Sequence, residues 1–162
     1  MLTHTGVPAD ADLAGVLPPE ELRAYRRLAV IECFQEIPCD PCAYACPFGA
    51  ITPFADINDR PRVVQEKCVG CGLCVPQCPG LAIFVVDEHY GDTEALVVLP
   101  YEYLPVPAPA DEVAGLSREG VEVCRARVVM VQNALVQDRT QLLWLAVPRE
   151  FAQVVRNIKV EA

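Results

Sequence analysis

Nine cysteines occupy the 162 residues, and eight of them fall between positions 33 and 78. Thiols at that density either pair as disulfides or bind metal. The run Cys68-Val-Gly-Cys71-Gly-Leu-Cys74-Val-Pro-Gln-Cys78-Pro79 fits C-x2-C-x2-C-x3-C-P at every position. Its short gaps let three thiolates wrap three corners of one cubane iron–sulfur cluster. The longer gap and the chain-turning proline aim the fourth thiolate at a second cluster. The earlier stretch ECFQEIPCDPCAYACP, residues 32–47, supplies only Cys39, Cys42, Cys46 and Pro47 of the same pattern, and its first expected cysteine falls on Glu36.

The two runs are halves of an internal repeat. At an offset of 32, Cys39, Cys42, Cys46, Pro47, Ala50 and Ile51 fall onto Cys71, Cys74, Cys78, Pro79, Ala82 and Ile83. With the fourth cysteine of each run crossing over, cluster II takes Cys46, Cys68, Cys71 and Cys74. Cluster I takes Cys39, Cys42 and Cys78 and lacks one ligand. Three completions are open. Glu36 holds the register of Cys68, but a hard carboxylate suits a sulfide-rich centre poorly. No fourth ligand would leave a three-iron [3Fe-4S] cluster. Cys33 is favoured, because the five-residue loop FQEIP can bulge with Pro38 fixing its return, and eight cysteines then fill two [4Fe-4S] sites without remainder. Gly70 and Gly72 would let the backbone approach the sulfides, with Pro47 and Pro79 completing the cluster loops. A zinc ribbon is the competing metal reading, but it uses cysteine pairs separated by long loops. Tyr44 and Phe48 are expected to shield cluster I from water. His4 and His89 are expected to be solvated, and Cys124 to be a buried structural thiol on one strand face with Ala126, Val128 and Met130.

The net charge is −9, and the pI is near 4.6. Nucleic-acid phosphates would be repelled, and two four-iron clusters with their thiolates would deepen the charge by about four units. No apolar run approaches the roughly 20 residues needed to cross a bilayer. With no basic-then-apolar leader and an odd cysteine count, the expected compartment is the reducing cytoplasm. The chain is nevertheless 52% hydrophobic, which hints at surface buried against another subunit. No nucleophile–base pair, dinucleotide-binding glycine run or phosphate loop is present, so no catalytic residue is assigned.

Three segments must position these cysteines. Residues 1–28 read as an arm ending in a short helix, PPEELRAYRRL, with glutamates early and arginines late. Residues 29–90 form the two-cluster domain: a strand LAVIECF, the cysteine repeat with two extended pieces around a turn at Asn58–Asp59, and a strand LAIFVV. Residues 95–162 read as a small β domain with strands ALVVLPYEYLPV, GVEVCRARVVMVQN and TQLLWLAV, the last apolar on both faces. A Pro-rich bend, PVPAPADEVAGL, joins the first two. Phe151, Val154, Val155 and Ile158 recur at helical spacing, predicting a short amphipathic helix over PREFAQVVRNI. The fold class is α+β.

With these motifs, residues 29–90 resemble the bacterial-type two-cluster ferredoxins. More narrowly, VIECFQEIPCDPCAYACPFGAI together with the C-terminal VPREFAQVVRNI resembles the ferredoxin-like subunits of flavin-dependent amino-acid dehydrogenases of the proline, hydroxyproline and sarcosine-oxidase type. The segment following residue 98 is similar to an SH3-like barrel. The resemblance implies two [4Fe-4S] clusters, a pseudo-twofold ferredoxin fold and a non-catalytic relay subunit. A flavin on a partner subunit in a hetero-oligomer would take a hydride equivalent from a C–N bond, and this chain would carry single electrons to an acceptor. The alternatives are a free-standing low-potential ferredoxin and the iron–sulfur subunit of a hydrogenase, formate dehydrogenase or 2-oxoacid oxidoreductase.

Overall fold

A computed structural model describes residues 2–133 and 140–160. Met1 at the start of the arm and residues 134–139 and 161–162 within the C-terminal segment lie outside the described residues. Three short helices, α1 Leu2–Thr5, α2 Asp10–Ala14 and α3 Glu20–Arg23, make up the arm. Leu17 packs on the sheet core and Leu22 on the cysteine-rich core, so the arm is laid on its own chain.

Among the described residues, seven strands form one antiparallel sheet in the order β1-β2-β3-β6-β5-β4-β7. They are β1 Leu28–Ile31, β2 Ile83–Asp87, β3 Glu94–Tyr101, β4 Glu112–Leu116, β5 Glu122–Gln132, β6 Gln141–Pro148 and β7 Asn157–Lys159. The cysteine repeat is inserted between β1 and β2. These two strands bracket it and pair in register from Leu28↔Val86 to Ile31↔Ile83. β2 then pairs with β3 from Val85↔Val98 to Asp87↔Leu96, so the sheet runs unbroken from the cysteine-rich segment into the C-terminal one.

Period-2 alternation builds a separate core on each face of this sheet. Val30, Phe84, Val86, Val97, Leu99, Leu143 and Leu145 pack on one face with Val113, Val128 and Val155. Ile31, Ile83, Val85, Val98 and Leu142 point the other way and form a floor beneath Cys42, Cys68, Cys74 and Val75. β6 is thus apolar on both sides because both sides are covered.

Three elements differ from expectation. EVAGL, read as part of a bend, is strand β4. A Cβ at Gly115 would lie 2.9 Å from Cys124 Sγ and 3.1 Å from Val155 Cγ2, so only glycine lets β4 sit this close to its neighbours. The predicted C-terminal helix is a single 3-10 turn, Arg149–Phe151, followed by β7. Pairing with β4 pulls the chain extended, and Arg156 N–H donates to Leu116 O at 2.9 Å. Val155 and Ile158 are still buried, through a turn and a strand instead of a helix. Lastly, a bulge between Val128 and Met130 turns Met130 outward to 39% exposure, off the face of Cys124, Ala126 and Val128.

Candidate iron–sulfur centre

In the second run, a 3-10 turn Gln65–Lys67 delivers Cys68, and a second one, Val75–Gln77, lies between Cys74 and Cys78. The first run uses α4, Pro41–Ala45, which starts on a proline, carries the buried Cys42 and ends at Cys46. The predicted extended pieces behind it meet at an isolated bridge, Ile51↔Val63. Asp59 closes their turn by accepting the N–H groups of Ala55 and Asp56.

The thiols fall into two groups of four. Cys46, Cys68, Cys71 and Cys74 line one cavity together with Gly70 and Gly72. Burial, then the charges of Cys68 and Cys71, and more weakly Cys46, push the Cys74 thiol up to about 12. In the second group, burial and then the charges of Cys78, Cys39 and Cys33 push Cys42 up to about 11. Cys33 is raised by burial, then by Cys78 and Cys39, against the Gln35 amide and Arg60. Cys39 is raised by burial, Cys78 and Asp40. Each group takes three thiols from one side of the repeat and one from across it.

Burial opposes ionisation of Cys74 and Cys42; a multivalent cationic centre removes that penalty by binding them as thiolates. Soft sulfur donors in two sets of four fit iron–sulfur clusters. Among the described residues no group of three or more His, Cys, Asp or Glu is tight enough to hold a single metal ion. A cluster, in which each thiolate meets a different iron, requires no such tight grouping.

Backbone amides aim at the sulfurs. Ala50 N–H donates to Cys46 Sγ at 3.3 Å, and Ala82 N–H donates to Cys78 Sγ at 3.4 Å, the same bond in each half of the repeat. Burial pushes the Cys46 thiol up, but the amides of Ile51, Ala50, Phe48 and Gly49 outweigh it and hold the pKa below the ordinary value. Beyond Pro47 and Pro79 the halves also share a left-handed residue, Gly49 at φ 60° and Leu81 at φ 52°. Ala29 N–H donates to Cys68 Sγ at 3.4 Å, and Arg26 Nη2 to Cys68 O at 2.7 Å. Sequence reasoning missed the Ala50, Ala82 and Ala29 donors, because backbone amides carry no residue signature, and read Arg26 only as a late-turn charge of a helix.

Other expected residues fall elsewhere. Tyr44 is 85% exposed and shields nothing, because α4 turns it outward. Phe48 is half exposed and lines the cavity of Cys46, Cys68, Cys71 and Cys74, not the group containing Cys33. Glu36, His4 and His89 are exposed. Cys124, expected to be buried, is only partly so; it packs against the edge of the sheet core, apart from both thiol groups.

Residues 37–82 match the 4Fe-4S dicluster domain family. A ferredoxin of Pyrobaculum islandicum is 36% identical over 75 residues, covering 46% of this chain and 67% of that protein. The chain belongs to the ferredoxin family. Two further relatives match over shorter stretches. The electron transport protein HydN of Escherichia coli K12 is 46% identical over 48 residues, 28% of this chain and 25% of HydN. An iron–sulfur protein of Rhodospirillum rubrum is 42% identical over 48 residues, 30% of this chain and 24% of that protein. The chain thus spans about a quarter of the length of these two relatives. No solved structure matches this ferredoxin significantly. No described helix is long and apolar enough to cross a membrane.

Proposed function

We propose that this ferredoxin is an electron-relay protein holding two [4Fe-4S] clusters, cluster I on Cys33, Cys39, Cys42 and Cys78 and cluster II on Cys46, Cys68, Cys71 and Cys74. The observation that carries the reading is the single cavity lined by Cys46 of the first run together with Cys68, Cys71 and Cys74 of the second, three thiols plus one from across the repeat. Bound clusters of this kind supply one-electron chemistry. The chain's own residues hold and tune: thiolates bind iron, and the amides of Ala50 and Ala82 stabilise negative charge on Cys46 and Cys78. Phe48, Val69 and Leu73, each about half exposed, border exposed Cys71, giving this site an apolar rim open to a partner. The relatives named ferredoxin and electron transport protein support the carrier role. The resemblance to flavin-linked amino-acid dehydrogenase subunits supports a flavoprotein as the electron donor.

Anaerobic purification from the native host tests this. Expected are about eight irons per chain, a four-iron EPR signature on reduction, and co-purification of a flavin-containing subunit. Four irons, or a dominant three-iron signal unchanged in Cys33→Ser, refutes the ligand assignment. Emergence alone with eight irons and no flavin refutes the flavoprotein partner and leaves a free carrier.

A further inference from the structure

Cys33 has little local support. Five residues separate it from Cys39, and Gln35, Glu36, Ile37 and Pro38 are all exposed. The residue before it is anchored from far away. Glu32 N–H donates to Ala82 O at 2.8 Å, and Ala82 N–H is the donor to Cys78 Sγ, so the Glu32 backbone ties Cys33 to Cys78. Its carboxylate accepts two bonds from Arg118, Nη2 at 2.6 Å and Nε at 2.8 Å, and one from Arg156 Nε at 2.7 Å. Arg118 comes from the β4–β5 turn and Arg156 from the approach to β7, 86 and 124 residues along the chain.

The clamp is itself rigid. Arg156, with its side chain 4% exposed, also donates to Ala152 O, Val155 O and Gln153 Oε1, and stacks over the Phe84 ring at 4.9 Å. A fork of arginine donors fixes a carboxylate in direction as well as position. The other site draws its support from the residues that lead into the repeat, with Cys68 held by the Ala29 amide and by Arg26 and not by the C-terminal strands.

We propose that Glu32, Arg118 and Arg156 are positioning residues that present Cys33 to cluster I, so that the C-terminal sheet compensates for the absence of cysteine at position 36. The inference rests on the reading of Cys33 as the fourth ligand. It gives the C-terminal segment a role inside the ferredoxin itself, apart from any partner.

The test uses the full chain, purified anaerobically, with iron and sulfide counted per chain, EPR after reduction, and far-UV circular dichroism as a check on folding. Arg118→Met and Glu32→Gln are each expected to fall from about eight irons to about four or to give a three-iron signal, with the sheet signal retained. Adding Glu36→Cys to Arg118→Met puts a thiolate at the register of Cys68 and is expected to restore the count. Arg23→Gln, which breaks the Arg23–Glu88 pair away from the thiols, should leave both clusters in place. If Arg118→Met does not fold, Arg118→Lys, which keeps the charge but loses the fork, is read by the same criteria. A folded Arg118 or Glu32 variant with the full iron content overturns the inference. So does loss of both clusters together without rescue by Glu36→Cys, which would mark the triad as merely structural. If Cys33→Ser itself keeps eight irons, the ligand reading has failed before the clamp is tested.

Discussion

Gly70 and Gly72 flank Cys71 and differ in a way that substitution can measure. Both have positive φ, 63° and 79°, where an L side chain costs about 1–2 kcal/mol. A Cβ on Gly72 meets nothing within 4 Å. A Cβ on Gly70 would sit 2.5 Å from Arg27 O, 2.8 Å from Arg27 Cγ and 2.9 Å from Arg27 C. Two of these are backbone atoms at the entry to β1 and cannot swing aside, so overpacking of about 1–3 kcal/mol adds to the strain. Relief in the unfolded chain returns about 0.4–1 kcal/mol in both variants. Gly72→Ala is therefore expected to lose about 1 kcal/mol and Gly70→Ala about 2–4 kcal/mol. At about 2–4 °C per kcal/mol, anaerobic thermal midpoints should fall by about 3 °C and by about 5–15 °C. Displacing Arg27 also disturbs Ala29, the donor to Cys68 Sγ, so visible absorption should bleach faster in air in Gly70→Ala only. Equal midpoints and equal bleaching in the two variants would refute the close-approach argument.

Leu81 occupies the left-handed position that Gly49 holds in the other half; Leu81→Val, β-branched there, is expected to lose about 1–2 kcal/mol while Leu81→Gly stays near wild type, as read by thermal midpoint. Cys124→Ala should leave the iron count unchanged and cost about 1–2 kcal/mol through lost packing at Gly115 and the sheet core. Burial, then the nearby Tyr103, raises the Tyr101 phenol above its ordinary value. The protonated form is the one favoured by folding, so its contribution is whole below about pH 10 and is lost as pH rises through the folded pKa. Melts between pH 9 and 11 should show a stability loss that Tyr101→Phe reduces.

The repeat is visible in the sequence as six identities, but its physical content is not. What the halves share is an amide aimed at a sulfur, Ala50 at Cys46 and Ala82 at Cys78, and any residue but proline could provide it. Strands β1, β2, β3, β5 and β6 are legible because β-branched and aliphatic runs of that length have few alternatives. β4 is not, because glycine and alanine are poor strand formers in isolation and Gly115 is tolerated only for what lies beside it. The last segment misleads differently: Val155 and Ile158 satisfy a helical spacing, yet an i, i+3 pair is buried equally well by a turn entering a strand. Tyr44 is misjudged because five residues of helix leave its facing to tertiary contacts.

The apolar surplus of an acidic chain suggested an external partner, and much of it has an internal cause. β1, β2, β3 and β6 are covered on both faces, so nearly every residue in them must be apolar. The cysteine-rich segment between β1 and β2 does not close its core by itself; the sheet covers Cys42, Cys68, Cys74 and Val75. It borrows the outer face of a sheet whose inner face belongs to the C-terminal strands: Val85, Val98 and Leu142 serve the thiols, and Val97, Leu99 and Leu143 serve the second core. Each half therefore gives the other a wall. The Glu32–Arg118–Arg156 triad extends the same dependence to the rim of the thiol site, where one strand end carries both an ion pair to the sheet and the cysteine that departs from the repeat.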